Sequence, residues 1–241
     1  TAVDGFGDTD TLINIEQVHG TNEDDTITGS TSNNRIQGLA GNDVIDGGGG
    51  LDEIDHSVDS FFGGTLGVTV DLAAGSATDG YGDSDTLTNI ENIRGDRSTS
   101  DLLIGDENSN IIRGLGGNDV IDGGDGFDTA GYSLDGNFDG FGGVTVDLGA
   151  GTAIDGFGNT DTLINIERIE GTDSDDTITV GLDFIRSAVD GGAGDDVLAG
   201  VFGTSADFTG GQGNDTITGG GFNLETLRGD YNRVDYANDG G

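Results

Sequence analysis

The chain has 241 residues, of which 46 are acidic and 8 basic, for a formal net charge of −38. A field of that sign repels phosphate, which excludes nucleic acid and anionic membrane surfaces as partners. No run of 18 or more apolar residues is present for membrane insertion, and the absence of cysteine removes disulfides and thiolate metal sites.

The acids are 38 Asp and only 8 Glu, the bases are all Arg, glycine contributes 49 residues and proline none. A merely solvated acidic face would use Glu as readily, whereas Asp favours turns and holds its carboxylate close to the backbone. Low hydrophobicity with high net charge marks a chain that stays disordered unless cations neutralise it.

From Gly20 the sequence divides into nines: GTNEDDTIT, GSTSNNRIQ, GLAGNDVID and GGGGLDEID. The eighth position reads Ile27, Ile36, Ile45, Ile54, with Val18 in the same register ahead of them. The sixth reads Asp25, Asn34, Asp43, Asp52. This first nonapeptide block covers 20–56, and a spacer follows over 57–94.

A second block over 95–131 opens with a longer variant unit carrying Asp101 and Leu103, then repeats GDENSNIIR, GLGGNDVID and GGDGFDTAG. Its sixth positions are Asn110, Asp119 and Asp128. A second spacer spans 132–170, and an irregular third block, 171–241, contains GTDSDDTIT, GGAGDDVLA and GGQGNDTIT with Asp176, Asp196 and Asp215. The steps from Asp176 to Asp196 and from Asp196 to Asp215 both exceed two nonapeptides, so extra loop residues must be absorbed there.

The two spacers repeat each other at one fixed offset: GVTVDL recurs at 67–72 and 143–148, and Asp79-Gly80-Tyr81-Gly82 returns as Asp155-Gly156-Phe157-Gly158. The chain starts in the phase of such a spacer, which predicts a longer repeat protein. GVTVDL and the segments TLINIEQV (11–18), TLTNIENI (86–93) and TLINIERI (162–169) alternate apolar and polar residues as strands do. No stretch of the chain carries a helical period. The expectation is one all-β domain over 1–241: a right-handed parallel β-roll or β-solenoid with interspersed β-rich spacers.

The nine-residue unit has a chemistry. Glycines at positions 1 and 4, such as Gly38 and Gly41, permit tight turns and positive φ. Two units make one coil, which stacks Asp25 on Asp43, Asn34 on Asp52, Asp101 on Asp119 and Asn110 on Asp128. Carboxylates about 5 Å apart, the strand spacing, repel without a cation. A hard ion taking six or more oxygens suits them, and calcium fits better than magnesium. Zinc is disfavoured, because His19 and His56 are the sole histidines. Asn34 and Asn110 keep an oxygen but lose charge, so weaker sites are expected there.

GGGGLDEID (47–55), GGDGFDTAG (123–131), GGAGDDVLA (191–199) and GGQGNDTIT (210–218) resemble the RTX, or hemolysin-type, calcium-binding nonapeptide GGxGxDxUx, with U apolar. GLAGNDVID and GLGGNDVID depart from it only at the second glycine. The resemblance covers about half the chain. It implies a parallel β-roll with calcium held between stacked turns by position-6 Asp and turn carbonyls. On this sequence those places are Asp25, Asn34, Gly41, Asp43, Gly50, Asp52, Asp101, Asn110, Gly117, Asp119, Gly126, Asp128, Asp176, Gly194, Asp196, Gly213 and Asp215.

The spacers carry a second acidic pattern: Asp4, Asp8, Asp10; Asp79, Asp83, Asp85; and Asp155, Asn159, Asp161. Each is followed at one fixed offset by a glutamate, Glu16, Glu91 or Glu167. It reads either as an additional calcium loop, though not an EF-hand, or as a solvated hairpin tip. His19 and His56 are isolated and read as surface or packing residues. The spacer aromatics Phe61, Phe62, Tyr81, Phe138, Phe141 and Phe157 read as small cores over the roll, or as assembly contacts where exposed. There is no GxSxG, P-loop or HExxH, so the expectation is no enzyme.

Two functions follow. The first is a calcium-stiffened structural module of a secreted bacterial surface protein, adhesin, surface layer or matrix fibre, with self-association into fibres or layers. The alternative is the C-terminal export and folding module of a type I-secreted enzyme such as a protease, lipase or epimerase. Both place the chain outside the cell.

Overall fold

The computed structural model describes residues 2–3, 9–11, 13–181, 187–201, 205–220 and 233–234. Asp4 and Asp8 of the first spacer pattern lie outside them. The described chain is β-structure wound between two sheets, of fifteen and ten strands. A coil takes one strand from each sheet. Thr26–Ser30 and Val44–Gly48 pair in parallel in the first sheet, with Ile27 opposite Ile45. Arg35–Gln37 and Glu53–Asp55 pair in parallel in the second, with Ile36 opposite Ile54.

The register is the two-unit coil expected of the nonapeptides, and it returns in the second block, where Leu103 faces Ile121 and Ile112 faces Ala130. The single apolar side chain of each unit points inward. Ile27, Ile36, Ile45, Ile54, Leu103, Ile112 and Ile121 are all buried in one continuous core. The strands are short because only one inward residue per unit separates two turns.

The spacers do not merely decorate this roll; they are woven into it. In the first, strands Thr69–Asp71, Ser76–Thr78 and Ser84–Thr88 form an antiparallel meander. Its first strand pairs in parallel with the later Leu102–Ile104, and its last returns to the earlier Val44–Gly48. Asn92–Arg94 then enters the second sheet between Glu53–Asp55 and Ile111–Arg113. The second spacer repeats the arrangement with Thr145–Asp147, Thr152–Ile154 and Thr160–Ile164. TLTNIENI and TLINIERI are thus true coils of the roll. Asn89 and Asn165, at φ 51° and 52°, turn the chain from one sheet to the other.

Each spacer adds three strands to the first sheet and one to the second. The spacers also hold two one-turn helices, Asp59–Phe62 and a 3-10 turn Asp135–Phe138. A single turn is too short to leave a helical period in the sequence.

Nearly all the described arginines line the second sheet. Arg94 meets Glu53 at 2.7 Å and Asp55 at 3.5 Å, and Arg113 meets Glu53 at 3.1 Å. The aromatic expectation is corrected in part. Phe61, Phe62 and Phe141 are exposed rather than packed into small cores. Phe61 instead meets Phe62 edge-on, with rings 5.1 Å apart, and the Arg97 guanidinium lies 5.0 Å from its ring centre.

Candidate metal sites at the stacked turns

Two kinds of turn alternate in the stacks. In the glycine-rich turns, position 4 takes positive φ: Gly41 120°, Gly50 125°, Gly117 142°, Gly126 140°, Gly194 119° and Gly213 138°. Position 2 does so as well, at Gly48 and Gly124, and even Leu39 and Leu115 are held there at φ 70° and 64°. Position 1 is different from the expectation. Gly38 and Gly114 are not left-handed; a Cβ on either would instead strike the Oδ2 of its own unit's aspartate, Asp43 or Asp119. The need at position 1 is close approach, not φ.

The other turns lack the glycines and use side chains. Thr21 Oγ1 accepts from Glu23 N–H at 3.2 Å, Ser30 Oγ from Ser32 N–H at 3.0 Å and Asp106 Oδ1 from Asn108 N–H at 2.7 Å. A polar side chain at position 2 thereby replaces the conformational freedom of glycine. GSTSNNRIQ and GDENSNIIR solve their missing glycines in this way.

Along the edge where the chain passes from the second sheet to the first, the aspartates form hydrogen-bonded triads. Asp43 Oδ1 accepts from Asp25 N–H at 2.8 Å, and Asp85 Oδ1 accepts from Asp43 N–H at 2.9 Å. Asp119 and Asp161 serve Asp101 and Asp119 at 2.9 and 3.0 Å. Asp196 and Asp215 serve Asp176 and Asp196 at 2.8 and 3.0 Å. The irregular third block therefore stacks as the others do. The extra residues of this block lie between Asp176 and Asp196 and between Asp196 and Asp215, and 182–186 and 202–204 are outside the described residues.

The opposite edge carries Asn34–Asp52–Glu91 and Asn110–Asp128–Glu167. Asp52 Oδ1 accepts from Asn34 N–H at 2.6 Å and Glu91 Oε2 from Asp52 N–H at 2.8 Å; Asp128 and Glu167 repeat this at 2.7 and 2.9 Å. Glu91 and Glu167 occupy the place of a position-6 Asp. Their fixed offset was visible in the sequence, but the coil that delivers them was not.

The two turn types differ in what they leave free. In the side-chain turns the position-6 oxygens are consumed. Asp25 Oδ2 accepts from Thr21 N–H at 2.6 Å, Asn34 Oδ1 from Ser30 N–H at 2.6 Å and Asn110 Oδ1 from Asp106 N–H at 2.8 Å. In the glycine-rich turns the Oδ2 atoms of Asp43, Asp52, Asp119, Asp128 and Asp196 are buried without a hydrogen-bond partner. Native proteins rarely tolerate such atoms unless an ion or water completes them.

The spacer aspartates go to separate places. Asp85 and Asp161 are the third members of the triads. Asp79 Oδ1 accepts three amides of its own hairpin, from Tyr81, Gly82 and Asp83, and Asp155 Oδ1 accepts those of Phe157 and Asn159. Asp83 Oδ2 accepts from Gly41 N–H at 3.2 Å. In the two described trios the side chains thus make separate hydrogen-bond contacts. His56, read as a surface or packing residue, is fully buried with Nδ1 3.0 Å from Asp59 Oδ2.

Burial pushes these carboxyls up. Asp119 rises to about 9, Asp85, Asp101, Asp161 and Asp196 to about 7, and Asp43 and Asp128 to about 6. Desolvation is the main cause in each, and neighbouring aspartates add to it, as Asp101 and Asp161 do at Asp119. For His56, burial opposes charging, but the hydrogen bond and charge of Asp59 with the charges of Asp85 and Asp55 outweigh it, and it rises to about 9.

The donor set fits calcium. Every orphaned ligand atom in the turns is an oxygen. A Cβ on Gly20 would meet both Asp25 Oδ2 and the Gly38 carbonyl, and one on Gly191 both Asp196 Oδ2 and the Gly210 carbonyl. A carboxylate and a carbonyl of the next coil thus crowd the same point. No three Asp, Glu or His side chains among the described residues converge as a finished cage. Turn carbonyls must supply the remaining oxygens, and calcium accepts that mixture.

A family model described as the RTX calcium-binding nonapeptide repeat matches the chain in four copies, at residues 19–54, 97–130, 189–204 and 207–223. The chain carries RTX repeats. No curated protein matches it. The matched stretches hold the glycine-rich RTX turns and the side-chain turns stacked beneath them in the first two blocks; the GTDSDDTIT unit at 171–179 and both spacers lie outside the matches. Among the described residues no helix is long and apolar enough to cross a membrane.

Proposed function

We propose that this chain is a calcium-binding structural module of a secreted bacterial surface, adhesin, surface-layer or matrix-fibre protein, which folds and stiffens when calcium binds. The observation that carries this reading is the set of partnerless buried Oδ2 atoms of Asp43, Asp52, Asp119, Asp128 and Asp196. Calcium takes them together with the stacked partners Asp25, Asp101, Asp176 and Asp215, the triad members Asp85 and Asp161, and carbonyls of the turns built on Gly41, Gly50, Gly117, Gly126, Gly194 and Gly213. Asn34 and Asn110 act as hydrogen-bond links rather than charged ligands.

The woven spacers support a role in length and rigidity, because they continue the roll instead of interrupting it. The exposed Phe61, Phe62 and Phe141 support self-association or adhesion through the spacers. The test is a circular dichroism titration with calcium. The reading expects loss of β-structure in chelator and its cooperative return; full structure in chelator would sink it. A catalytic motif upstream in the parent gene would favour an export module of a secreted enzyme instead.

A further inference from the structure

The stacked turns do not account for every orphaned carboxylate. Asp59, on the one-turn helix of the first spacer, is 1% exposed, and Asp79, at the hairpin, is 0% exposed. Asp59 Oδ2 is taken by Gly80 N–H at 3.1 Å and by His56, yet its Oδ1 has no partner. Asp79 spends Oδ1 on its own hairpin, yet its Oδ2 has none. Asp43 Oδ2 and Asp85 Oδ2, which face the stacked-turn sites, are also without a hydrogen-bond partner.

These groups share one neighbourhood. Gly80, which follows Asp79, donates to Asp59. The charge of Asp59 acts on Asp79, that of Asp79 on Asp43, and those of Asp43 and Asp79 on Asp85.

The same set recurs in the second spacer. Asp135 Oδ2 accepts from Gly156 N–H at 3.0 Å while Oδ1 is orphaned, and Asp155 Oδ2 and Asp119 Oδ2 are orphaned too. Asp135 feels the charges of Asp155 and Asp161. The copies differ at one place: the Tyr132 hydroxyl donates to Asp161 Oδ2 at 3.1 Å, where the first copy has His56.

We propose that each spacer holds a further calcium ion, on Asp59 Oδ1 and Asp79 Oδ2 beside Asp43 and Asp85 in the first copy, and on Asp135 Oδ1 and Asp155 Oδ2 beside Asp119 in the second. The proposal rests on the calcium reading above but concerns a different kind of site. A stacked-turn ion joins successive coils. This ion joins three segments that the nonapeptide pattern does not connect: the one-turn helix, the hairpin tip and the aspartate triad. It pins the spacer to the roll. Hard oxygen donors and the need for backbone oxygens to complete the shell both select calcium.

The test counts ions on the full chain by native mass spectrometry, in the wild type and in the double variant Asp59→Asn, Asp135→Asn. Two fewer calcium ions on a folded variant support the spacer sites. An unchanged count on a folded variant overturns them and leaves the stacked-turn sites standing. Should the variant fail to fold, calcium-anomalous scattering from wild-type crystals decides: density beside Asp59 and Asp79 supports the site, and ions confined to the stacked turns overturn it. A wild-type chain that binds no calcium would overturn the calcium reading itself and this site with it.

Discussion

Asp85 Oδ1 accepts the backbone N–H of Asp43 at 2.9 Å across 42 residues of sequence. The bond takes the place that an aspartate one coil further on would take in an uninterrupted roll. Asp161 repeats it at Asp119. The spacer therefore hands the triad on without a break. Replacing Asp85 with Ala strands a buried amide, which costs about 1–3 kcal/mol. Denaturant unfolding at saturating calcium should show that loss, and an unchanged midpoint would mean the bond is idle.

Removing calcium should make stability depend on pH in an unusual direction. Asp119 at about 9, Asp135 at about 8 and Asp85, Asp101, Asp161 and Asp196 at about 7 all lie above the unfolded value of about 3.9. An acid raised in the folded state favours folding below its unfolded pKa and loses that contribution as pH climbs through the folded one. In chelator the β-signal should therefore grow from pH 8 to about pH 4. With calcium present the protons compete, so affinity should fall over the same acidification. A metal-free chain more structured at pH 8 than at pH 4 would contradict this.

Gly117 and Gly136 should respond oppositely to alanine. Gly117 sits at φ 142°, and an added Cβ would run into the Thr99 carbonyl, whereas one on Gly136 meets open space. Gly117→Ala should destabilise by at least about 1–2 kcal/mol. Gly136→Ala should be neutral or gain up to about 1 kcal/mol. Thermal unfolding with calcium compares the two directly.

The arginine column of the second sheet offers a calcium-independent contrast. Arg94 is buried against Glu53 and Asp55, whereas the Arg168 side chain is 39% exposed. Arg94→Ala leaves Glu53 with Arg113 alone and Asp55 with Arg35 alone, and should cost up to about 3 kcal/mol. Arg168→Ala should change stability by no more than about 1 kcal/mol. Equal effects in thermal melts would show that the ladder does not hold the sheet.

The nonapeptide part was legible because its physics is local. A period of nine sets the turns, the inward Ile27, Ile36, Ile45 and Ile54, and the two-unit register that stacks Asp25 on Asp43. Tertiary structure decided where the intervening residues go. Asp85 and Glu91 complete columns because an antiparallel meander carries them back beside Val44–Gly48, and no spacing of nine announces that return. It also decided which carboxylates are free, since the Thr21 amide consumes Asp25 Oδ2 while nothing meets Asp43 Oδ2. Asp59 and Asp135 were invisible for the same reason: each lies alone in sequence, and only the packing of a one-turn helix against a hairpin tip brings it to other acids. Periodicity dictates contacts between equivalent positions, whereas contacts between non-equivalent segments exist only once the chain has folded back on itself.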